Sequence, residues 1–312
     1  MTITQLQYVL AVAEYQNFTL AAQKCFVTQP TLSMQIQKIE EELGVTIFNR
    51  SKKPIQLTEI GAKIVSQAKN IVNESNRIKD IVDQQKGHIG GEFRIGIIPT
   101  VMPTLLPMFL ASFQKKYPKV QLIIEELNTS DIITRLKNGH LDAAIAATPL
   151  DDDKIKEIVL YYEPFVAYVP DNHPLYAKKT LTPTDLSSSE ILLLRDGHCF
   201  RQSILNLCKM DGLSENSFRI ESGSFETLSR LVDEGLGITL LPYLHTLDLS
   251  ENRKHRLRHF VDPKPAREVS LIFLNSELKK HIVEALRNSI SGVIRGAIAF
   301  HDVDIISPRQ KK

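Results

Sequence analysis

The sequence has little cysteine, almost no net charge and no long apolar run, and each shortage excludes something. Three cysteines in 312 residues are too few, and odd in number, for a disulfide scaffold, so any disulfide in a reducing compartment is expected to be transient and regulatory. No apolar stretch approaches the roughly 20 residues of a membrane span, and Met1-Thr2-Ile3-Thr4 lacks the basic region and apolar core of a secretory leader. A cytoplasmic protein without membrane attachment is expected. Lys and Arg exceed Asp and Glu by 38 to 36, an excess too small to establish nucleic-acid binding. It lies wholly in the first ninety residues, where ten basic and eight acidic side chains leave 28 of each for the rest. There is no P-loop and no dinucleotide fingerprint, so no cofactor is expected. His255 and His259 have a helical metal spacing but no third ligand; with Arg253, Lys254, Arg256 and Arg258 they read as a solvated basic surface, and no metal is expected.

What is present suits an α/β protein of two or three domains, with 43% hydrophobic residues. Leu6, Val9, Leu10, Val12 and Ala13 repeat at helical spacing and stop before Asn17. Thr19 is positioned to cap a short second helix through Ala21, Ala22 and Cys25, and Thr28 to cap a third, with Pro30 tolerated in its first turn. Leu32, Ile36, Ile39 and Leu43 form the third helix's buried stripe before Gly44 stops it. Two short helices around a tight turn read as a helix-turn-helix. Gln29, Thr31, Ser33, Met34, Gln35 and Lys38 fall off the stripe, either as a solvated polar face or as a set that reaches base edges and phosphates in a major groove. Val45, Ile47 and Phe48 lead through Arg50, Lys52, Lys53 and Pro54 to Ile55 and Leu57. This is a basic-tipped hairpin of a kind common on soluble proteins and also suited to a phosphate backbone or minor groove. Cys25 reads as a small buried hydrophobe.

From Thr58, apolar residues Ile60, Ile64, Ala68, Ile71, Ile78 and Val82 fall on three- and four-residue steps along a helix of nearly thirty residues. A stripe so narrow needs a partner. The glycine-containing stretch 84–91 ends the helix. Beyond it strands and helices alternate: strand 93–98, helix 103–117, strand 120–125, helix 130–138 and strand 141–147, then a second unit after Pro164 with a strand at 191–194, a cysteine-bearing helix, a helix at 225–234 and the run 235–242. Strand 269–273 and a final helix 279–300 return to the first unit. Two subdomains with a cleft between them are inferred, about 92–163 plus 268–303, and about 164–267.

The segment Arg195 to Asp211 holds two of the three cysteines. Gly197 gives a turn, and Ile204, Leu205, Leu207 and Cys208 follow at helical spacing, which puts Cys199 near a helix start and Cys208 further along. Amides at a helix N-terminus, His198 and Arg201 would each favour a thiolate at Cys199, the form that peroxide oxidises. Cys208, on the apolar side, reads as a buried inert thiol. Two cysteines so spaced are also ordinary core residues in many proteins.

The run Asp196-Gly197-His198-Cys199-x-Arg201, with Cys208 nine residues on, resembles the sensing segment of the OxyR-like, peroxide-responsive branch of the LysR-type transcriptional regulators. The resemblance continues in the Thr28-to-Ile36 run, in E-E-E-L-G at 40–44 and in L-x-x-x-G at 57–61, and it covers nearly the whole chain. The sequence departs from the family at Gln202, commonly Asp, and at Met34, often Arg. The resemblance implies a winged helix-turn-helix over 1–57, a linker and dimerisation helix with its hinge over 58–91, and a periplasmic-binding-protein-like α/β regulatory domain over 92–312. It implies that hydrogen peroxide converts Cys199 to a sulfenic acid, which Cys208 captures as a disulfide. Thr100, Thr129 and His198 would hydrogen-bond and orient the peroxide, and Arg267 would steady the thiolate; without the family, Thr129 reads as a helix cap and Thr100 as a strand end. Thr28, Gln29, Pro30, Thr31, Ser33, Gln35, Lys38, Arg50, Lys52 and Lys53 become the expected DNA contacts. Promoter duplex DNA, RNA polymerase and further copies of the chain in a tetramer are the implied partners, and control of antioxidant genes the implied output, with activation or repression left open. Two other functions remain open: a LysR-type regulator that binds a small metabolite in the cleft, and a thiol peroxidase, against which the helix-turn-helix argues.

Overall fold

The computed structural model describes residues 1–85, 89–186, 190–208, 222–277, 279–298 and 303–308. The chain divides into two compact units, residues 1–88 with 138–140, and residues 89–137 with 141–312.

In the first unit, α1 (Ile3–Tyr15) opens with a capping box in which the Thr2 hydroxyl accepts from the Gln5 amide and the Gln5 side chain accepts from the Thr2 amide. Helix α2 (Phe18–Lys24) is capped by Asn17 rather than by the expected Thr19. The Asn17 carboxamide oxygen accepts from the amides of Thr19 and Leu20, which leaves Thr19 inside the first turn. Thr28 caps α3 (Gln29–Leu43), with Pro30 in its first turn and Gly44 left-handed at its end. Leu32, Ile36 and Ile39 are buried with Leu6, Val9, Val12, Ala21, Ala22 and Phe48. Leu43, expected on the same stripe, is 40% exposed: it is the last residue of the helix, a turn beyond the core. Strands β1 (Phe48–Asn49) and β2 (Gln56–Leu57) form the antiparallel hairpin.

Helix α4 (Glu59–Gln85) follows. It buries Ala68 and Val72 but leaves Ile60 and Ile78 exposed, so one chain does not cover all the apolar positions of the expected stripe. The Val82 side chain and residues 86–88 of the expected linker lie outside the described residues.

The end of α2 has a Schellman geometry: Val27 donates its amide hydrogen to the Ala22 carbonyl at 3.0 Å and Phe26 to the Gln23 carbonyl at 3.2 Å. Phe26 is therefore left-handed, at φ +56°, a conformation costing an L-residue roughly 1–2 kcal/mol.

The second unit contains β3 (Gly91–Ile97), α5 (Met102–Lys116), β4 (Val120–Glu126), α6 (Thr129–Lys137), β5 (Ala143–Thr148), β6 (Ile155–Tyr168), β7 (Thr180–Leu181), α7 (Cys199–Cys208), α8 (Phe225–Asp233), β8 (Thr239–Pro242), α9 (Tyr243–Leu247), α10 (Glu251–Lys254), β9 (Leu257–Phe260), β10 (Lys264–Leu274), α11 (Lys280–Ala297) and β11 (Val303–Ile305). The strand order is β4-β3-β5-β10-β6-β9-β7, with β11 beside β10 and β8 beside β6. The first three strands are parallel, with crossover helices α5 and α6; β10 runs antiparallel to both β5 and β6. Residues 299 and 300 of the expected final helix lie outside the described residues.

Two hydrophobic cores result. One is built from side chains between 93 and 161 and between 269 and 294, joined by Leu244; the other from side chains between 165 and 260. The long strands β6 and β10 pass from one to the other, and Arg267 faces Glu163 in their register.

The expected strand at 191–194 is absent apart from one bridge, Ile191 to Ile238. Its carbonyls are taken by side chains instead: the Thr239 hydroxyl donates to Leu192 and the Arg201 guanidinium to Leu194. The 14-residue β6 was missed because Lys156, Glu157, Glu163 and Pro164 interrupt its apolar pattern. His255 and His259 do not share a helix, since α10 ends at Lys254 and His259 lies in β9. Among the described residues no group of His, Cys, Asp or Glu is arranged to hold a metal.

Candidate redox site and helix-turn-helix face

Cys199 is the first residue of α7. Gly197, at φ +89°, turns the chain into it, and the amides of Cys199 and Phe200 point at the sulfur. Cys199 packs against the first core, whereas Phe200, Ile204, Leu207 and Cys208 of the same helix belong to the second. The cysteine opens onto a cavity of about 530 Å³ whose lining includes Thr129, Ile133, Leu150, His198 and Gln202.

Burial pushes the Cys199 thiol up, and the charge of Arg267 is the largest influence opposing it, followed by the Thr129 hydroxyl and the two amides. Arg267 is 1% exposed. It donates from Nε and Nη2 to Glu163 Oε2, at 2.9 and 2.7 Å, from Nη1 to Thr100 Oγ1 at 2.8 Å, and from Nη2 to the Thr100 carbonyl at 2.9 Å. Its guanidinium lies 5.1 Å from the Phe200 ring centroid. Glu163 Oε1 accepts from the Leu244 amide at 2.9 Å. A buried guanidinium is tolerable only when so paired and hydrogen-bonded.

The structure corrects the electrostatics expected from sequence. Arg201 lines the same cavity as Cys199, but its guanidinium is engaged elsewhere, pairing with Asp196 at 2.8 Å and donating to the Leu194 carbonyl, and it is not among the main influences on the thiol. His198 is buried, and desolvation together with the charge of Arg195 lowers its pKa, so the neutral imidazole supplies no positive charge to Cys199. Thr100 is absent from the cavity lining and holds Arg267 instead. Thr129 is no cap, because the Asn128 carboxamide accepts from the Asp131 amide and the Ser130 hydroxyl. Among the described residues its buried hydroxyl has no other hydrogen-bond partner, and it interacts with the Cys199 sulfur. Cys208 is 5% exposed, and desolvation takes its pKa up to about 11. Cys25 is partly buried against the first unit's core, and burial raises its thiol too.

Sequence reasoning missed Glu163, although a lone carboxylate in the apolar run around Phe165 demands a buried cation. It also missed the chain's last described segment, where Pro308 lines the cavity and the Ser307 carbonyl accepts from the Asn206 side chain at 2.8 Å.

In the first unit, Gln29, Pro30, Met34 and Lys38 of α3 and Lys52 and Lys53 of the hairpin are exposed. Others of the expected contacts are engaged internally. Arg50 pairs with Glu40 at 2.9 Å, donates to the Ser33 hydroxyl at 3.3 Å and lies over the Phe18 ring. Gln35 is half-buried and accepts from the Gln5 side chain, and the Thr28 and Thr31 hydroxyls bond each other. The residues left free on this face are fewer than the sequence pattern suggested.

Residues 3–62 match the model of the bacterial regulatory helix-turn-helix protein, lysR family, and residues 86–294 that of the LysR substrate binding domain. The chain belongs to the LysR family. Within that family it is 31% identical over 298 residues to a hydrogen peroxide-inducible genes activator of Haemophilus influenzae, covering 96% of this chain and 99% of that one. It is 33% identical to the DNA-binding transcriptional dual regulator OxyR of Escherichia coli, covering 94% and 97%. Among solved structures, a Cys-to-Asp variant of full-length OxyR from Pseudomonas aeruginosa superposes with TM-score 0.74 at 34% identity, over 93% of this chain and 98% of that one. A peroxide-bound Cys-to-Ser variant of Corynebacterium glutamicum OxyR gives 0.63 at 28% identity, over 95% and 93%.

Proposed function

We propose that this LysR-family protein is a peroxide-sensing, DNA-binding transcriptional regulator in which Cys199 and Cys208 form the redox pair. The observation that carries the reading is the setting of Cys199: a helix-start cysteine open to a cavity, with Arg267, Thr129 and two amides around its sulfur. Peroxide enters the cavity, where Thr129 and His198 offer polar contacts. The Cys199 sulfur attacks one peroxide oxygen, the O–O bond breaks, and a sulfenic acid and water form. Arg267 favours the attacking thiolate, with Thr100 and Glu163 holding it in place. The Cys208 thiol then displaces the sulfenic hydroxyl as water, leaving a Cys199–Cys208 disulfide.

That second step cannot occur within α7. Nine residue steps at about 1.5 Å each separate the two Cα atoms by roughly 13.5 Å, and a disulfide needs them within about 7 Å. The helix must unwind. Unwinding draws Cys208 and Leu207 from the second core and strains the Asn206–Ser307 contact, a local chemical change that biases a two-state element. The remodelled surface changes how copies of the chain pack in a dimer of dimers, repositions the helix-turn-helix heads on promoter DNA and alters access for RNA polymerase.

The test is to treat the full chain with stoichiometric peroxide and measure its mass with cysteine connectivity mapped. Loss of two hydrogens with a Cys199–Cys208 bridge is expected; an unmodified chain, or a bridge through Cys25, would end the reading. One observation favours a second reading. The cavity of about 530 Å³ far exceeds what peroxide needs and lies in the range of small-molecule sites, about 300–1,000 Å³. A LysR-family regulator answering to a small metabolite there would leave Cys199 unreactive toward stoichiometric peroxide.

A further inference from the structure

The turn between α2 and α3 carries a side chain that local physics disfavours. Phe26 occupies the left-handed position that closes α2, with its own amide bonded to Gln23 and the next to Ala22. Helices take Gly there, or Asn, because a Cβ is strained. This chain does use Gly44, at φ +65°, where α3 needs only a stop. The Phe26 ring gains nothing from its own unit in return: it is 95% exposed and takes no part in the core that includes Phe18 and Phe48. A residue that is strained and unpacked in the free protein belongs to a contact made with something else.

We infer that Phe26 reads DNA by packing its ring on a thymine methyl group, an assignment that rests on the DNA-binding reading above. Its place supports this, because it lies two residues before Thr28, which with Gln29 and Pro30 makes the exposed start of α3, and the start of the second helix is the part of this motif that meets base edges. The chemistry supports it as well. The ring has neither donor nor acceptor, and the apolar group that a base edge presents in the major groove is the C5-methyl of thymine. Phe26 thus supplies recognition that the hydrogen-bonding side chains beside it cannot.

The experiment uses the full-length protein and duplexes it enriches from a random-sequence library. Each thymine of an enriched duplex is replaced singly by uracil, which removes one methyl group and nothing else. Phe26→Asn and Phe26→Gly keep the left-handed turn, so neither is expected to lower the thermal midpoint. Both should bind the thymine duplex about tenfold more weakly, the loss of one buried aromatic contact. At one thymine, uracil should weaken the wild type about fourfold, one methyl group's worth, and leave both variants unaffected, the pattern of two groups in direct contact. Unchanged affinity in both variants, equal sensitivity of variants and wild type to uracil at every position, or an altered oligomeric state with DNA affinity intact would each overturn the assignment. Failure to enrich any duplex would end the DNA-binding reading, and this assignment with it.

Discussion

Cys199 and Cys208 occupy the two ends of one ten-residue helix, yet the first opens onto a cavity with a buried guanidinium nearby, while the second is packed into a hydrophobic core. Burial raises the pKa of both thiols. The difference lies in what opposes burial: at Cys199 a positive charge, a hydroxyl and two amides pull the other way, and at Cys208 desolvation acts alone. The two sulfurs thus differ in the directed polar groups around them as well as in their burial, and such groups are what favour a thiolate. The cationic one comes from a strand more than sixty residues away in sequence.

The largest effect that breaks the symmetry is deletion of either sulfur. Cys199→Ser should abolish oxidation by stoichiometric peroxide, whereas Cys208→Ser should still yield a sulfenic acid at Cys199, trapped by a 1,3-diketone and read by mass. Faster labelling at Cys208 under mild peroxide would invert the assignment.

Removing the distinguishing charge comes next. Arg267→Met leaves Glu163 buried without its cation, a loss of about 3–5 kcal/mol, so the paired variant Arg267→Met with Glu163→Gln is the better probe. It should raise the Cys199 pKa and slow its oxidation near neutral pH about tenfold or more, with the rate recovering as pH rises toward the new pKa. An unchanged rate-against-pH profile would remove Arg267 from the chemistry.

Bridging the two ends should then cost structure. Hydrogen exchange across 199–208 is expected to speed up on oxidation, with each exposed leucine worth about 1.5–3 kcal/mol. Identical exchange in both states, with the disulfide confirmed, would show that the helix need not open.

The Cys208 end leaves a signature in stability as well. Between its ordinary value of 9.0 and about 11 the folded state keeps a proton that the unfolded state has lost, so stability falls as pH rises through that window, by up to roughly 2–3 kcal/mol. Cys208→Ala should flatten this alkaline slope in denaturant titrations; an unchanged slope would place its origin elsewhere.

The smallest effect extends the comparison to the first unit, where Lys52 and Lys53 are exposed and Arg50 is paired with Glu40. Replacing either lysine by Ala should lower the salt slope of DNA binding by about one phosphate contact. Arg50→Ala should act mainly by loosening the fold, seen as a lower thermal midpoint.

Much of the fold was legible because its signals are local. The caps at Thr28 and Gly44, the stripe Leu32, Ile36 and Ile39, and the helix running from Cys199 to Cys208 depend on spacing and backbone chemistry within a few residues. Thr19 misled because Asn17, two residues earlier, is the better cap, and Ile191 to Leu194 because an apolar run does not reveal whether its carbonyls face a strand or side chains. For the site, residue identity pointed to Cys199, but the neighbours in sequence were the wrong ones to credit. Arg201 turns to Asp196 and His198 is held neutral by burial.

By itself the sequence determined the helix-turn-helix, much of the alternating α/β order and the helix that carries Cys199 and Cys208 nine residues apart, because periodicity, capping and a motif are written in adjacent positions. Only the tertiary structure decided that Arg267, Glu163 and Thr100 form one buried assembly, that the two cysteines serve different cores, and that Thr129 faces the sulfur. These groups meet through the register of β6 with β10 and the packing of the two cores. A charge acts on a thiol through distance in space and the dielectric between them, and neither can be read from separation along the chain.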